Sequence, residues 1–277
     1  MEATADISKV KNLEIDILQV FIGICSQLNL QYFVLGGTLL GAVRHQGFIP
    51  WDDDIDVCLK RADYNIFIEK AQSMLPEGLF LQTHQTDPEF PMCFAKIRNS
   101  NTTFIESSMA GLKINHGVYI DVFPLDYYPE GFLERCVMDF RKTSTECCIN
   151  RCYKSSKKGL RKLKISAGRL LGWLMYGSIE NAVQRQNRLY QAVAKSKWMV
   201  NYGGAWGKRE IVPTELFDDS TELSFEGIKV SAPKEYDRYL TCIYGDYMTL
   251  PPLEEQKPHH HTDLIDPEHP YTRYVQQ

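Results

Sequence analysis

The amino-acid sequence predicts an α/β (α+β) protein in which a mixed sheet is flanked by helices and followed by an additional helical region. Three observations lead there. Apolar residues recur at spacings of three and four over residues 6–29, the signature of an amphipathic helix. Short runs of branched and aromatic residues between positions 31 and 123 end in glycine, proline or charged residues, which marks strands rather than helices. After Pro129 the prolines thin out and helical spacing continues over residues 132–200.

In chain order, Ile7, Val10, Leu13, Ile17, Val20, Phe21, Ile24 and Leu28 define the first helix. Residues 31–35 (QYFVL) read as a buried strand entering the tight turn Gly36-Gly37, with a short helix from Thr38 to Arg44. From Asp54 the chain alternates, Ile55, Val57 and Leu59 on one side and Asp54, Asp56 and Cys58 on the other. Alternate strand residues share a face, so Asp54 and Asp56 point the same way. Tyr64, Phe67, Ile68, Ala71 and Leu75 continue as a helix ended by Pro76, and strands are expected at 79–82, 92–97 and 117–123, the last placing Asp121 beside Tyr119 and Phe123. The chain divides into a core (1–130), a helical, basic region (131–200) and a Pro/Gly/aromatic-rich region (201–277) that completes the domain.

The 277 residues are 44% hydrophobic and 24% charged, with a formal net charge of −4, which excludes a disordered chain and gives no basic footprint for nucleic acid. The N-terminus lacks the apolar core of a secretory signal and no stretch reaches the 18 apolar residues of a membrane span, so a cytoplasmic protein is expected. Eight scattered cysteines suit reduced thiols. Cys136, Cys147, Cys148 and Cys152 lack paired CxxC spacing, and half-buried helical thiols are the favoured account of them over zinc.

The chemistry centres on Trp51-Asp52-Asp53-Asp54-Ile55-Asp56-Val57. Two aspartates on one strand face reach the same hard cation without backbone distortion, and magnesium, with manganese as the alternative, is usually completed by substrate phosphates. Asp121 is a third ligand or the base that accepts a hydroxyl proton. A calcium loop would need glycine where Val57 stands and glutamate where Asp63 stands. Gly36, Gly37 and Thr38 would let phosphate oxygens approach backbone N–H groups at a helix start, and Arg44, His45, Lys96 and Arg98 are candidate phosphate contacts.

The run GGTLLGAVRHQGFIPWDDDIDV, together with YIDVFPLD, FEGIKVSAPKEYDRYL and YGDYMTLPP, resembles the LicD family and, through it, the glycine-turn and paired-aspartate pattern of the nucleotidyltransferase superfamily. The resemblance runs from about residue 30 to 262. It implies a nucleotidyltransferase-like core and transfer of a phosphorylated alcohol, typically phosphocholine from CDP-choline, to a sugar hydroxyl of a surface glycan precursor. Carried over, Asp54 and Asp56 match the metal-binding pair, Asp121 the third carboxylate, and Gly36 and Gly37 the nucleotide-phosphate turn, while Arg44 lies inside the motif. His259, His260 and His261 stand where the family often carries histidine. The implied partners are a CDP-linked alcohol and a glycan or lipid-linked oligosaccharide. Alternation points Asp53 away from the pair, leaving it and Asp52 as support.

From Cys147 to Ile179 there is no acidic residue, while Arg151, Lys154, Lys157, Lys158, Arg161, Lys162, Lys164 and Arg169 are basic and precede LLGWLMYG. This is either a solvated helix face or a segment for an anionic membrane surface. The competing functions are a metal-dependent nucleotide-sugar glycosyltransferase, against which the upstream glycine turn argues, and a catalytically silent glycan-binding protein, against which the three retained carboxylates argue.

Overall fold

A computed structural model of the chain describes residues 7–149, 170, 174–258 and 261–275, without the side chains of Cys147 and Cys148. The basic residues from Arg151 to Arg169, together with Cys152, His259 and His260, lie outside the described residues.

Helix α1 (Ile7–Gln27) buries Val10, Ile17, Leu18, Phe21, Ile24 and Cys25 along one stripe, with Glu14 among them. It stops two residues before the expected position 29 because Asn29 turns to φ 53°, letting the Leu30 N–H donate to the Cys25 carbonyl at 2.8 Å, a left-handed helix ending. Strand β1 (Tyr32–Val34) follows, then α2 (Gly36–His45), β2 (Asp56–Lys60) and α3 (Arg61–Lys70), which tightens into a 3-10 turn at Ala71–Ser73. The glycine pair is thus the first turn of α2 rather than a loop before it. Strands β3 (Leu79–Gln82), β4 (Ala95–Asn99), β5 (Thr103–Glu106) and β6 (Val118–Tyr127) come next. The strand expected at 92–97 lies a few residues later, the one at 117–123 runs on to Tyr127, and β5 carries no sequence expectation.

Helices α4 (Phe132–Ile149) and α5 (Ile179–Gln191) occupy most of the described part of the helical region. Its last three residues instead form β7 (Trp198–Val200), which pairs with β6 and with β8 (Ile211–Pro213). Beyond these lie the hairpin β9 (Ser220–Phe225) and β10 (Ile228–Pro233), helix α6 (Tyr236–Tyr244) and β11 (Thr262–Asp266), which pairs with β5.

The main sheet has the order β1-β2-β6-β4-β3, with β7 and β8 added on β6. Among the described strands only β2 and β6 run parallel, and their register sets Asp56 opposite Asp121. Both sheet faces are covered, which is why these strands are buried through and through and show little outward polarity. On one face Phe21 of α1 meets Tyr32 at 5.3 Å and Phe67 of α3 at 5.2 Å. On the other Phe33 meets Phe217 at 5.4 Å, and Phe217 meets Tyr239 of α6 at 5.8 Å. Because Phe33 lies opposite Cys58 across β1 and β2, Cys58 and its i−2 neighbour Asp56 share this second face.

The segment between α2 and β2 is held from outside the sheet. Glu226, at the tip of the β9–β10 hairpin with φ 47°, accepts from the Phe48 N–H at 2.9 Å, and its own N–H donates to the Gln46 carbonyl at 3.0 Å. A Cβ on Gly47 would fall 2.1 Å from the Glu226 carboxylate, so a larger residue there would push that carboxylate off the Phe48 N–H. Phe48 and Phe225 meet at 4.9 Å with their rings tilted by 60° beside the clamp. These contacts explain why FEG and HQGF are both parts of one structure: together they fix the approach to the aspartates.

Candidate functional site

Three adjacent strands deliver the site in one row. Asp56 on β2 is in register with Asp121 on β6, and Asp121 with Lys96 on β4. Residues paired in register project to the same face. One carboxylate oxygen from each of Asp54, Asp56 and Asp121 lies within 4.8 Å of the others, and the same holds for Asp52, Asp53 and Asp54. Asp54 therefore belongs to two acidic groups. Asp53 stays outside the Asp54–Asp56–Asp121 group and joins the second one; β2 begins at Asp56, so Asp54, expected on the strand, lies just before it.

The start of α2 abuts both groups. Gly36 has φ 52°, and a Cβ there would come within 2.7 Å of Asp56 Oδ2; one on Gly37 would come within 2.2 Å of Asp52 Oδ2. The two glycines thus give the aspartates access to the helix backbone, where exposed N–H groups favour negative charge. Thr38 Oγ1 accepts from the Asp56 N–H at 2.8 Å, tying the helix to the start of β2. Leu35, the residue capping α2, contributes no side-chain oxygen to the first turn.

Crowding like charges in a buried place raises proton affinity. Burial pushes the Asp56 carboxyl well above the usual carboxylate range, with the charges of Asp54 and Asp121 adding to it. Asp52 is pushed up to about 8, by burial first and then by Asp54 and Asp53. Such a donor set suits a divalent cation that prefers oxygen, since the ion's charge would remove the cause of these shifts.

Of the expected phosphate contacts, the structure brings Lys96 to the cluster. Its ammonium lies 2.8 Å from Asp121 Oδ1, 3.9 Å from Glu106 Oε2 and 3.4 Å from the Tyr119 ring centre. Arg98 does not reach it. Its guanidinium is wholly buried and donates to Gln82 Oε1 at 2.5 Å, the Gly117 carbonyl at 2.8 Å and Glu106 at 3.2 Å, so its donors serve the β4–β5–β6 packing. Arg44 sits at the far end of α2, about 12 Å of helix from Gly36, and donates to the Tyr247 carbonyl at 2.7 Å, with its Nε buried and lacking a hydrogen-bond partner. Burial lowers its pKa, as it does that of His45.

Some residues at the site carry no expectation from sequence. Glu14 is buried on α1 with its carboxyl raised well above the usual range, by burial and then by Asp54 and Asp53. A charged residue on an otherwise apolar helix stripe was a legible signal for it. Glu210 is buried, receives the Trp206 N–H at 3.4 Å, and is pushed up to about 7 by burial. Tyr244 is raised by burial and then by Asp56, Asp52 and Glu210, and its ring meets Trp206 at 5.0 Å. No sequence pattern singles out Glu210 or Tyr244. Among the described residues the potential metal-ligand groups consist of carboxylates alone, and Cys136 is exposed on α4.

The sequence profile described as LicD/FKTN/FKRP, nucleotidyltransferase domain, matches residues 29–153. The lipopolysaccharide cholinephosphotransferase LicD of Haemophilus influenzae is 31% identical over 253 residues, 89% of this chain and 92% of that protein. Uncharacterized proteins of Rickettsia prowazekii and Rickettsia typhi match shorter parts. The first is 34% identical over 105 residues, 38% of this chain and 35% of its own, and the second 49% identical over 49 residues, 18% and 15%.

The Lys96 ion pair gives a stability test. Lys96→Met leaves the buried Asp121 and Glu106 carboxylates without that ammonium, and breaking a buried pair costs about 3–5 kcal/mol. Denaturant unfolding should show a loss of that order, and an unchanged midpoint would contradict the role given to Lys96.

Proposed function

The chain belongs to the LicD family, and from that premise we propose that it transfers phosphocholine from CDP-choline to a sugar hydroxyl of a cell-surface glycan precursor, of lipopolysaccharide or teichoic acid type, with release of CMP. The observation that carries this reading is the convergence of Asp54, Asp56 and Asp121 beside the Gly36-Gly37 helix start in a chain related along nearly all its length to a cholinephosphotransferase.

Asp54, Asp56 and Asp121 would hold magnesium, or manganese in its place; when bound, that ion neutralises charge on the donor's phosphates and orients them. The first turn of α2, at Gly36, Gly37 and Thr38, presents backbone N–H groups to a phosphate. Asp121, anchored by Lys96, takes the proton of the acceptor hydroxyl as its oxygen bonds to the phosphocholine phosphorus and the bond from that phosphorus to the CMP oxygen breaks. Trp206, 39% exposed and packed edge-on against Tyr244, has the Arg209 guanidinium over its ring at 5.7 Å, so a quaternary ammonium would have to take its place or use the other face. Tyr119, another aromatic candidate, already lies against Lys96 at 3.4 Å and Arg98 at 4.6 Å.

No described helix is long and apolar enough to cross a membrane. A cytoplasmic protein working at the inner membrane surface is the placement that fits a lipid-linked acceptor. Phe132, Leu133, Val137 and Phe140 of α4 are exposed, Phe132 by 78% and Leu133 by 76%, and the basic stretch follows them in sequence. Exposed apolar side chains next to lysine and arginine match an anionic bilayer surface.

Two measurements test these statements. Purified protein with magnesium and CDP-choline should release CMP when glycan acceptor is present. Asp54→Asn and Asp56→Asn should each lower that rate by about 10³-fold or more, as expected when charge stabilisation at the reacting phosphate is lost, while remaining folded. A folded, active double variant, or release of a nucleoside diphosphate from a nucleotide sugar instead, would refute the reading. Separately, the protein should co-sediment with phosphatidylglycerol vesicles at low salt, less so for Phe132→Ser with Phe140→Ser; no sedimentation of the unaltered protein would reject membrane contact.

A further inference from the structure

Glu106 on β5 has no place in the chemistry above, yet it meets the lysine that serves it. The Lys96 ammonium, 2.8 Å from Asp121, lies 3.9 Å from Glu106 Oε2, and the same oxygen accepts from the Arg98 guanidinium at 3.2 Å. Acid and base therefore alternate in the order Asp121, Lys96, Glu106, Arg98, and none of the four is more than 6% exposed. The Tyr119 ring lies against both cations, its centre 3.4 Å from the Lys96 ammonium and 4.6 Å from the Arg98 guanidinium. Arg98 is itself fixed by Gln82 Oε1 at 2.5 Å and the Gly117 carbonyl at 2.8 Å. Glu106 is fixed through its backbone: it pairs in register with Thr262 of β11, and the Ser107 N–H donates to the His261 carbonyl at 2.8 Å. Strand β11 and the histidine before it thus hold in place the carboxylate that faces Lys96.

We propose that Glu106 is a positioning residue for the transfer step: together with Arg98 it keeps the Lys96 ammonium on Asp121 while the donor is bound. The inference rests on the reading given above, in which Asp121 takes the proton of the acceptor hydroxyl. A lysine carries its charge on a flexible four-carbon stem, and its ammonium pairs with phosphate as well as with carboxylate. Held by Asp121 alone, Lys96 would turn toward the donor's phosphates as they arrive and leave Asp121 without its orienting partner. A second buried carboxylate on the same ammonium opposes that movement, and Arg98 in turn keeps this carboxylate from following Lys96. Glu106 acts through Lys96 and is assigned no contact with substrate. Residues of this kind, one contact removed from a ligating carboxylate, typically change activity by about 10–100-fold when altered.

The test is steady-state CMP release by the full chain with magnesium, CDP-choline and glycan acceptor, each rate taken per folded protein as measured by circular dichroism. Glu106→Gln should lower kcat by about tenfold or more while KM for CDP-choline rises no higher than in the unaltered protein, because the released ammonium still faces the donor. Glu106→Asp keeps the charge but draws it back by one methylene, and its kcat should fall between the two. If the Gln variant does not fold, Glu106→Asp decides alone, and an unchanged kcat there overturns the proposal. In a chain that already carries Lys96→Met, adding Glu106→Gln should change kcat by less than about twofold, since no ammonium remains to be held. A merely structural Glu106 gives an unchanged kcat per folded protein, and a Glu106 that acts independently of Lys96 gives losses that multiply; either result overturns the proposal. The phosphocholine reading fails in a different way, when the unaltered protein releases no CMP from CDP-choline, and the role of Glu106 then falls with it. CMP release by the unaltered protein with equal kcat in Glu106→Gln removes the role of Glu106 alone.

Discussion

The parallel register of β2 and β6, extended to β4, is the constraint on which the site depends. It sets Asp56, Asp121 and Lys96 side by side on three hydrogen-bonded strands. A slip of one residue in either pairing would turn a carboxylate to the opposite face, among Val57, Leu59 and the α1 contacts. The two covered faces of the sheet hold that register: Phe21, Tyr32 and Phe67 pack on one side and Phe33, Phe217 and Tyr239 on the other. The row of charges is thus maintained by apolar packing away from it, while Lys96 is the strand neighbour that opposes the negative charge of Asp121.

Holding so many acids together carries a standing electrostatic cost, and local structure is arranged around it. Burial and mutual repulsion raise the proton affinities of Asp52, Asp56 and Glu14, which lowers the negative charge that the cluster carries. Gly36 and Gly37 allow two of the carboxylates to approach the start of α2. Arg44 and Glu226 act at a distance, the former joining α2 to the segment after α6 and the latter clamping the loop that leads to the aspartates.

Periodicity made the first helix, the aspartate strand and the strand carrying Asp121 legible, since each has a long or regular apolar pattern. It also grouped Asp54 with Asp56, and their carboxylates do come together, although Asp54 precedes β2 and also groups with Asp52 and Asp53. Strand β5 escaped notice because four residues, Thr103–Glu106, between polar turns carry too little pattern, and its partner β11 lies more than 150 residues away. Strand β7 is three residues long at the edge of helical composition. Lys96 and Arg98 look equivalent in sequence, two basic residues on one face of one strand. Only the tertiary neighbours separate them: Asp121 is opposite Lys96, whereas Arg98 meets Gln82, Gly117 and Glu106. Glu14 was visible as a charge on an apolar stripe, but its burial there is a property of the fold.

Calorimetric titration of CDP-choline into the protein tests the central claim most directly, because it asks whether the carboxylate cluster engages the donor through a cation. With magnesium present, saturable binding is expected, weakened by about tenfold or more in Asp56→Asn and abolished by chelator. Equal affinity with magnesium and with chelator would contradict the account.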